Sequence, residues 1–179
     1  AVTGLGDIDG DGYTEFAVGA PYTNDLGPDS GAVYVMVNPD RTGSHALAET
    51  ADTAFYGSSE EHNAGTSLTG DLDLNNDGFA DMVIGSPGSG TSAYQAGASY
   101  VIYGPLADHD GGALVDPDGG ADAAFLGMAA FNYAGKTVVG GHDWSGDGVT
   151  DLAVASPQYY RSAAVTSSGA VHVFFGRGL

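Results

Sequence analysis

Short apolar runs recur along the chain, and each is too short to be a helix of ordinary length. Three runs of four residues, at 16–19, 82–85 and 152–155, each end two residues before a proline. A buried strand needs only four to eight residues, and proline interrupts the hydrogen bonds of a sheet. These runs are therefore predicted to be buried strands.

Three longer runs follow after variable segments, at 31–37, 97–103 and 169–175, and each begins with Gly-Ala. They have little apolar/polar alternation, which is typical of strands covered on both faces. Further apolar signals recur at 54–57 and 124–127, and then at 64–68 and 134–138. Together these runs predict four short strands in each repeat of the chain.

A polar loop of nine residues precedes each proline-terminated strand, at 7–15, 73–81 and 143–151. Oxygen-bearing side chains occupy positions 1, 3, 5 and 9 of every loop, and glycine occupies position 6. The three loop glycines, Gly12, Gly78 and Gly148, lie 66 and 70 residues apart. The chain is thus a tandem array. A four-stranded sheet that recurs and covers both faces against its neighbours is a β-propeller blade.

The loops gather carboxylates that repel one another by about 1 kcal/mol or more per close pair. A hard cation reverses this cost, and Ca²⁺ takes six to eight oxygen ligands from a tight loop with glycine at its turn. The position-7 residues differ in chemistry, so we expect them to contribute backbone carbonyls. The candidate ligands of three Ca²⁺ sites are Asp7, Asp9, Asp11, Tyr13 and Glu15; Asp73, Asn75, Asp77, Phe79 and Asp81; and Asp143, Ser145, Asp147, Val149 and Asp151.

Other interpretations of the loops fit less well. An EF-hand requires a bidentate Glu at position 12, where this chain has Val18, Ile84 and Val154. Plain Asp/Gly turns do not need oxygen ligands at four fixed positions repeated three times. Site three has only Ser145 at position 3, so we expect it to bind calcium most weakly. Asp71, two residues before loop two, is a further candidate acid.

The order of acidic loop, apolar strand, Gly-Ala-Pro and Gly-Ala-Val-Tyr-Val resembles the FG-GAP repeat of integrin α-subunit propellers and their microbial relatives. Nearly the whole chain is covered. The Phe-Gly element is present as Ala64-Gly65 and Ala134-Gly135, and the third Gly-Ala-Pro has become Ala155-Ser156-Pro157. These departures affect blade-edge packing and leave the metal positions intact.

The resemblance implies an all-β, seven-bladed propeller with calcium at loops on one face, of which about 2.75 blades are present. The predicted blades are 1–57, with its first strand truncated, 58–127, and 128–179, with its last strand missing. Three blades leave apolar faces open. We therefore expect a fragment of a longer propeller, or copies that associate, so that neighbouring blades come from the same or another chain.

Charge limits the partners. The 23 acidic residues against 4 basic ones give a net charge of −19. Nucleic acids and anionic membranes require a basic surface, so both are disfavoured. No segment approaches the ~20 apolar residues that span a bilayer, and membrane insertion is not expected. Calcium modules with affinities of roughly 10⁻⁴ to 10⁻³ M saturate outside cells, which favours a secreted or cell-surface protein.

The sequence gives little support for catalysis. It has no Gly-x-Ser-x-Gly elbow, and its five histidines are not at zincin spacing. His142, beside loop three, is either a ligand or base, or a plain loop residue, which is the interpretation that we expect. His172 takes the strand position of Tyr34 and Tyr100, which favours a packed blade residue. We expect a protein that is not an enzyme.

Two function classes remain. The first is a calcium-stabilised module for adhesion or interaction with a protein or glycan, with contact candidates Tyr22, Tyr94, Tyr159 and Tyr160. These tyrosines could equally pack within the propeller. The second is a non-catalytic or substrate-positioning part of a larger secreted hydrolase. The acidic run of Asp108, Asp110, Asp116, Asp118 and Asp122 is either a solvated loop or a fourth cation site or partner contact.

Overall fold

The computed structural model describes residues 1–37, 46–106, 111–114, 120–159 and 168–176. This part of the chain is nearly all β-structure, with one helix of a single turn. In chain order the elements are β1 (Val2–Gly6), β2 (Glu15–Ala20), β3 (Ala32–Met36), α1 (Leu47–Thr50), β4 (Thr53–Gly57), β5 (Ser67–Leu72), β6 (Asp81–Ser86), β7 (Ala98–Ile102), β8 (Gly112–Leu114), β9 (Ala123–Leu126), β10 (Thr137–His142), β11 (Asp151–Ser156) and β12 (Ala170–Phe174).

The strands form three sheets that repeat one design. Sheet one has the order β1-β2-β3-β4-β8, sheet two β5-β6-β7-β9, and sheet three β10-β11-β12. All pairs are antiparallel except β4 with β8, which is parallel. β5 packs between β1 and β10, so the first strands of the three sheets lie side by side. These sheets are β-propeller blades, and the described blades do not close into a ring.

The predicted strands at 16–19, 82–85 and 152–155 are confirmed as β2, β6 and β11, and those at 54–57 and 124–127 as β4 and β9. The boundaries differ at β5 and β10, which begin three residues later than the apolar signals at 64 and 134. There, Gly65 and Gly135 have φ of +83° and +80°, a left-handed backbone that turns the chain before the strand.

Coverage of both faces is confirmed for β3 and β7, whose residues are all buried. For β12 the prediction is wrong, because its residues alternate between partly buried and exposed. Val171 and Val173 are 65% and 46% exposed on the face of sheet three that points away from sheet two. The physical reason is that no described blade packs against that face.

Two apolar cores join the blades. The larger core lies between sheets one and two and includes Phe55, Met82 and Tyr100, each completely buried. A smaller core between sheets two and three contains Val83, Val101, Leu152 and Val154. Blade packing therefore supplies the main burial of apolar surface, as the repeat pattern predicts.

β8 was not predicted. It lies in the segment between β7 and β9 and crosses from blade two to the outer edge of blade one, where it pairs with β4. The side chain of Leu114 on β8 is completely buried in the larger core, and Leu106 before it is almost so. Of the acidic run, Asp108, Asp110, Asp116 and Asp118 lie outside the described residues. Asp122 is exposed and accepts a hydrogen bond from the backbone N–H of Tyr103 at 2.7 Å.

Two ends of the blades carry different loops. We call the end formed by the acidic loops, which join first to second strands, the metal end. The opposite end, formed by residues 21–31, 58–66, 87–97 and 127–136, we call the variable end. Within the described ranges, no helix is long and apolar enough to cross a membrane.

Candidate metal centre

Each acidic loop is folded by its own carboxylates. In loop one, Asp7 accepts hydrogen bonds from the backbone N–H groups of Gly10 at 2.8 Å and Gly12 at 3.0 Å. Asp9 and Asp11 accept from the N–H groups two residues onward. These are the short-range bonds that aspartate favours in turns. They place three acidic side chains on the inside of one tight turn.

Loops two and three repeat this arrangement. The position-1 acids Asp73 and Asp143 accept from the N–H groups of Gly78 at 3.1 Å and Gly148 at 2.8 Å. The hydrogen bond from Gly148 is the main cause that holds the pKa of Asp143 below its usual value. Glycine is required at position 6 because φ is about +90° in all three loops, at 90°, 92° and 92°.

The position-9 acids begin the second strands and are buried. Glu15, Asp81 and Asp151 are 1%, 0% and 0% exposed. Each accepts a hydrogen bond from the N–H of the loop's second residue, at 3.0 Å from Ile8, 2.7 Å from Leu74 and 2.7 Å from Trp144. The inner end of every loop is therefore pinned to the sheet by a desolvated carboxylate.

The second oxygen of each position-9 acid distinguishes loop one. Asp81 Oδ1 accepts from the N–H of Gly104 at 3.1 Å, and Asp151 Oδ1 accepts from that of Gly176 at 3.0 Å. Glu15 Oε1 is buried and has no hydrogen-bond partner among the residues that the structure describes. Leaving a buried charged oxygen unpaired costs about 1–3 kcal/mol or more. A cation held by the loop would remove that cost.

Burial also shifts the acids' proton affinity. Desolvation raises the pKa of Glu15, and repulsion from Asp9, Asp11 and Asp7 raises it further, against a hydrogen bond from Ile8. Desolvation raises the pKa of Asp81 to about 6. Both groups would be stabilised as anions by a neighbouring cation.

Loop one is the best-assembled of the three. Ligand atoms of Asp7, Asp9 and Glu15 all lie within 4.8 Å of one another, the one such group of three acids or histidines among the described residues. Position 3 of the other loops bears an amide or a hydroxyl instead. Asn75 Nδ2 donates to Asp77 at 2.8 Å, and Ser145 Oγ donates to Asp143 at 3.2 Å. An all-oxygen, carboxylate-rich set of this kind fits a hard divalent cation.

Neighbouring loops are joined by hydrogen bonds that the sequence did not reveal. The N–H of Asp73 in loop two donates to Thr150 Oγ1 of loop three at 2.8 Å. Ala80 of loop two donates to the carbonyl of Asp7 at 3.4 Å. The N–H of Leu106, on the way to β8, donates to the carbonyl of Ile8 at 2.8 Å. The metal end is therefore one connected surface.

The remaining candidate residues are not members of the group formed by Asp7, Asp9 and Glu15. His142 ends β10, is exposed, and its ring centroid lies 6.2 Å from that of Trp144. His172 pairs with Val154 at the register of Tyr34 and Tyr100, and contacts Tyr159 edge-to-face at 5.5 Å. Asp71 is an exposed residue of β5 with φ of +57°. Tyr13, Phe79 and Val149 follow the loop glycines, and their carbonyl role stays a prediction.

Repeated four-stranded blades with an acidic loop between the first two strands define a class of β-propeller repeat. The family model for the FG-GAP repeat matches residues 1–36, 64–102 and 134–174. The chain belongs to the FG-GAP repeat family, as its resemblance predicted.

Curated relatives agree with this assignment. The chain is 34% identical to mouse integrin alpha-E over 151 residues, which are 84% of this chain and 12% of that protein. It is 32% identical to mouse integrin alpha-7 over 154 residues, 84% of this chain and 11% of that protein. Bovine phosphatidylinositol-glycan-specific phospholipase D is 37% identical over 107 residues, 58% of this chain and 12% of that protein. The chain thus spans about an eighth of the length of these relatives.

Proposed function

We propose that the chain is a calcium-stabilised propeller module of a secreted or cell-surface protein, and that its variable end contacts a protein or glycan. Two observations of Glu15 carry the calcium part of the proposal: its Oε1 is buried without a hydrogen-bond partner among the described residues, and its carboxylate groups with those of Asp7 and Asp9. The likeness to integrin α-subunits supports an adhesive, extracellular role. The net charge of −19 argues against a nucleic-acid partner.

Calcium would bind at all three loops, with the fifteen predicted ligands in their assigned positions. Loop one has four acids and loop three has three acids with Ser145, so affinity should fall in that direction. We keep the blade boundaries 1–57, 58–127 and 128–179 as part of this proposal. The bound ions would hold the hairpins β1–β2, β5–β6 and β10–β11 rigid, and no catalytic step is assigned to this chain.

Calcium titration by calorimetry tests the proposal, together with thermal unfolding in calcium and in EDTA. A cation bound only by the folded state adds about 2.7 kcal/mol per site at 100 times its Kd. For a chain of this length that amounts to roughly 5 to 10 °C in Tm per site. We expect EDTA to lower Tm by at least the amount that corresponds to one site.

Asp9→Asn is the informative variant, because it removes one charge from the best-assembled loop. Asp25→Asn is its matched control, since Asp25 is an exposed acid at the variable end. Asp9→Asn should weaken calcium binding while Asp25→Asn does not. Equal Tm in calcium and EDTA for the parent chain would refute a structural role of calcium.

A second candidate is an accessory or substrate-positioning part of a larger secreted hydrolase. The similarity to phosphatidylinositol-glycan-specific phospholipase D favours it, because that relative is named as an enzyme. Sequencing the complete gene separates the two: a catalytic domain on the same polypeptide supports the second candidate, and adhesive or wall-anchoring domains support the first.

A further inference from the structure

Three aromatic side chains form an exposed cluster at the variable end, where blades two and three meet. We call Tyr94, Phe131 and Tyr133 the aromatic cluster. Tyr94 and Phe131 meet edge-to-face with ring centroids 5.4 Å apart, and Phe131 and Tyr133 are 6.4 Å apart. Tyr94 is 61% exposed and Phe131 is 42% exposed. The cluster therefore presents ring surface to solvent instead of filling a core.

Hydrogen bonds fix the orientation of the two tyrosines. The hydroxyl of Tyr133 donates to Gln95 Oε1 at 2.8 Å, and Gln95 Nε2 donates to Glu61 Oε2 at 3.2 Å. Tyr94 also donates to Glu61 Oε2, at 3.4 Å. The rings are thus held in place before any partner arrives, which reduces the entropy lost on binding.

The same backbone positions at the junction of blades one and two have no aromatic residues. Pro28, Glu61 and Asn63 stand there in place of Tyr94, Phe131 and Tyr133. Glu61 and Asn63 have φ of +59° and +54°, and Phe131 and Tyr133 have +61° and +53°. A left-handed backbone suits asparagine and disfavours bulky residues. Two aromatic residues at such positions, on an exposed surface, are unfavourable for stability and suggest a binding role.

A groove of about 220 Å³ runs beside the cluster and shares Tyr133 with it. Its other lining residues are Asn63, Pro87, Gly88, Lys136, Pro157 and Gln158. The groove thus combines one aromatic ring with two amide side chains and a single ammonium group. Glu61 accepts from Gln95, which in turn accepts from Tyr133 of the groove, so one carboxylate belongs to the network of the cluster.

The charges at this site select the partner. Glu61 and the net charge of −19 oppose an anionic ligand, and Lys136 in the groove opposes a cationic one. What remains are neutral donors and acceptors beside aromatic faces. A pyranose ring matches this set, because its C–H face packs on aromatic rings and its hydroxyl groups pair with amides.

We propose that the aromatic cluster and the adjoining groove bind a sugar unit of an uncharged glycan. This site rests on the proposed interaction function and narrows its partner from protein or glycan to a neutral saccharide. The groove accommodates one ring, and the cluster provides a second stacking surface for the next unit of a chain.

A binding assay with defined saccharides tests the site. The full chain in millimolar calcium is applied to an array of neutral oligosaccharides that includes cellopentaose, maltopentaose and mannopentaose. A heparin oligosaccharide and an oligolysine peptide serve as charged comparators. We expect binding to at least one neutral glycan and none to the comparators. Calorimetry on the strongest binder then gives the affinity.

Tyr94→Ala and Phe131→Ala should each weaken that affinity ~10-fold or more, with calcium binding and Tm retained. Leu26→Ala is the control, because Leu26 is 48% exposed at the variable end and lies outside the cluster and groove. No neutral glycan bound on the array, unaltered affinity in both variants, or preferential binding of either charged comparator would overturn the proposal.

These results are independent of the calcium proposal. Calcium stabilisation without saccharide binding would refute only the glycan site. If saccharide binding depends on Tyr94 and Phe131 while EDTA leaves Tm unchanged, the glycan site is supported and the structural role of calcium is refuted.

Discussion

The two ends of the blades use one repeated backbone in different ways. At the metal end, the same carboxylate-to-N–H bonds recur in three loops, and the position-9 acids are buried every time. At the variable end, the left-handed positions of Glu61 and Asn63 recur as Phe131 and Tyr133. Where side chains are buried or bonded to the loop backbone, the repeats agree; where they face solvent at the variable end, they differ. We infer that the first end provides stability and the second provides recognition.

Glu15 provides the most direct test of the contrast between the metal end and the variable end. In EDTA, Glu15→Gln removes a buried charge whose Oε1 has no partner among the described residues, so we expect the free energy of unfolding to rise by about 1–3 kcal/mol. In calcium, the same variant loses a charged ligand and should be less stable than the parent chain. Thermal unfolding in both buffers measures this change of sign. Glu60→Gln, at an exposed variable-end residue, should shift neither curve.

Because of Asp81, the stability of the metal-free protein and its calcium affinity should depend on pH in opposite directions. Its pKa of about 6, against an ordinary value of 3.8, means that the folded state binds the proton more tightly than the unfolded state does. This group therefore lowers stability in the metal-free chain as pH rises from about 4 to 6. Calcium affinity should instead fall as pH drops below 6, because the proton competes for the carboxylate.

Denaturant unfolding and calorimetry across this pH range measure the two slopes. Asp81→Asn has no proton to exchange and should remove this contribution from both slopes. If the stability of the metal-free protein depends on pH as strongly in Asp81→Asn as in the parent chain, Asp81 is not the group responsible.

The contact between loops two and three tests whether the metal end acts as one surface. Thr150→Val deletes the hydroxyl that accepts from Asp73 N–H, at an expected cost of about 0.5–1.5 kcal/mol and with weaker calcium binding at loop two. Thr14 holds the same loop position and is exposed, so Thr14→Val is the matched control. Calorimetry gives the calcium affinities of both variants, and thermal unfolding gives their Tm. Equal losses in Thr150→Val and Thr14→Val would mean that the contact does not couple loops two and three.

The smallest predicted effect is a gain in stability, and it concerns the variable end. Phe131→Asn places a residue that tolerates the left-handed backbone where φ is +61°. We expect a gain of up to ~1 kcal/mol in unfolding free energy, together with loss of glycan binding. Chemical denaturation measures the gain, and Met128→Asn, at a residue that is 77% exposed, controls for loss of apolar surface. A destabilised Phe131→Asn would mean that the ring contributes to packing.

The sequence predicted the repeated elements because their signals are local. Run length, the following proline and the spacing of acids sufficed for β2, β6 and β11 and for the three loops. The hydrogen-bond partners of buried groups could not be predicted, because they come from residues that are distant in sequence. The second oxygen of Asp81 accepts from Gly104 while that of Glu15 has no partner among the described residues, and Thr150 accepts from Asp73 across 77 positions of sequence.

Other features were missed because their local patterns are weak. β8 is a strand of three residues within a glycine-rich segment, and its pairing with β4 depends on blade one being in place. Tyr94 was singled out as a contact candidate, but its meeting with Phe131 requires two loops of neighbouring blades to come together. Solvent exposure of the open face of β12 likewise depends on what packs there and not on its own residues.

The crossing strand β8 has a consequence for how the molecule comes apart. It belongs to blade two in sequence and to blade one in hydrogen bonding, and Leu106 and Leu114 anchor it at both ends. Neither blade can open without breaking this parallel pairing, so the two should form a single cooperative unit, or foldon. Blade three has no such crossing among the described residues. Its antiparallel strands can fray independently, and amide protection should decrease from the first blade pair to the third.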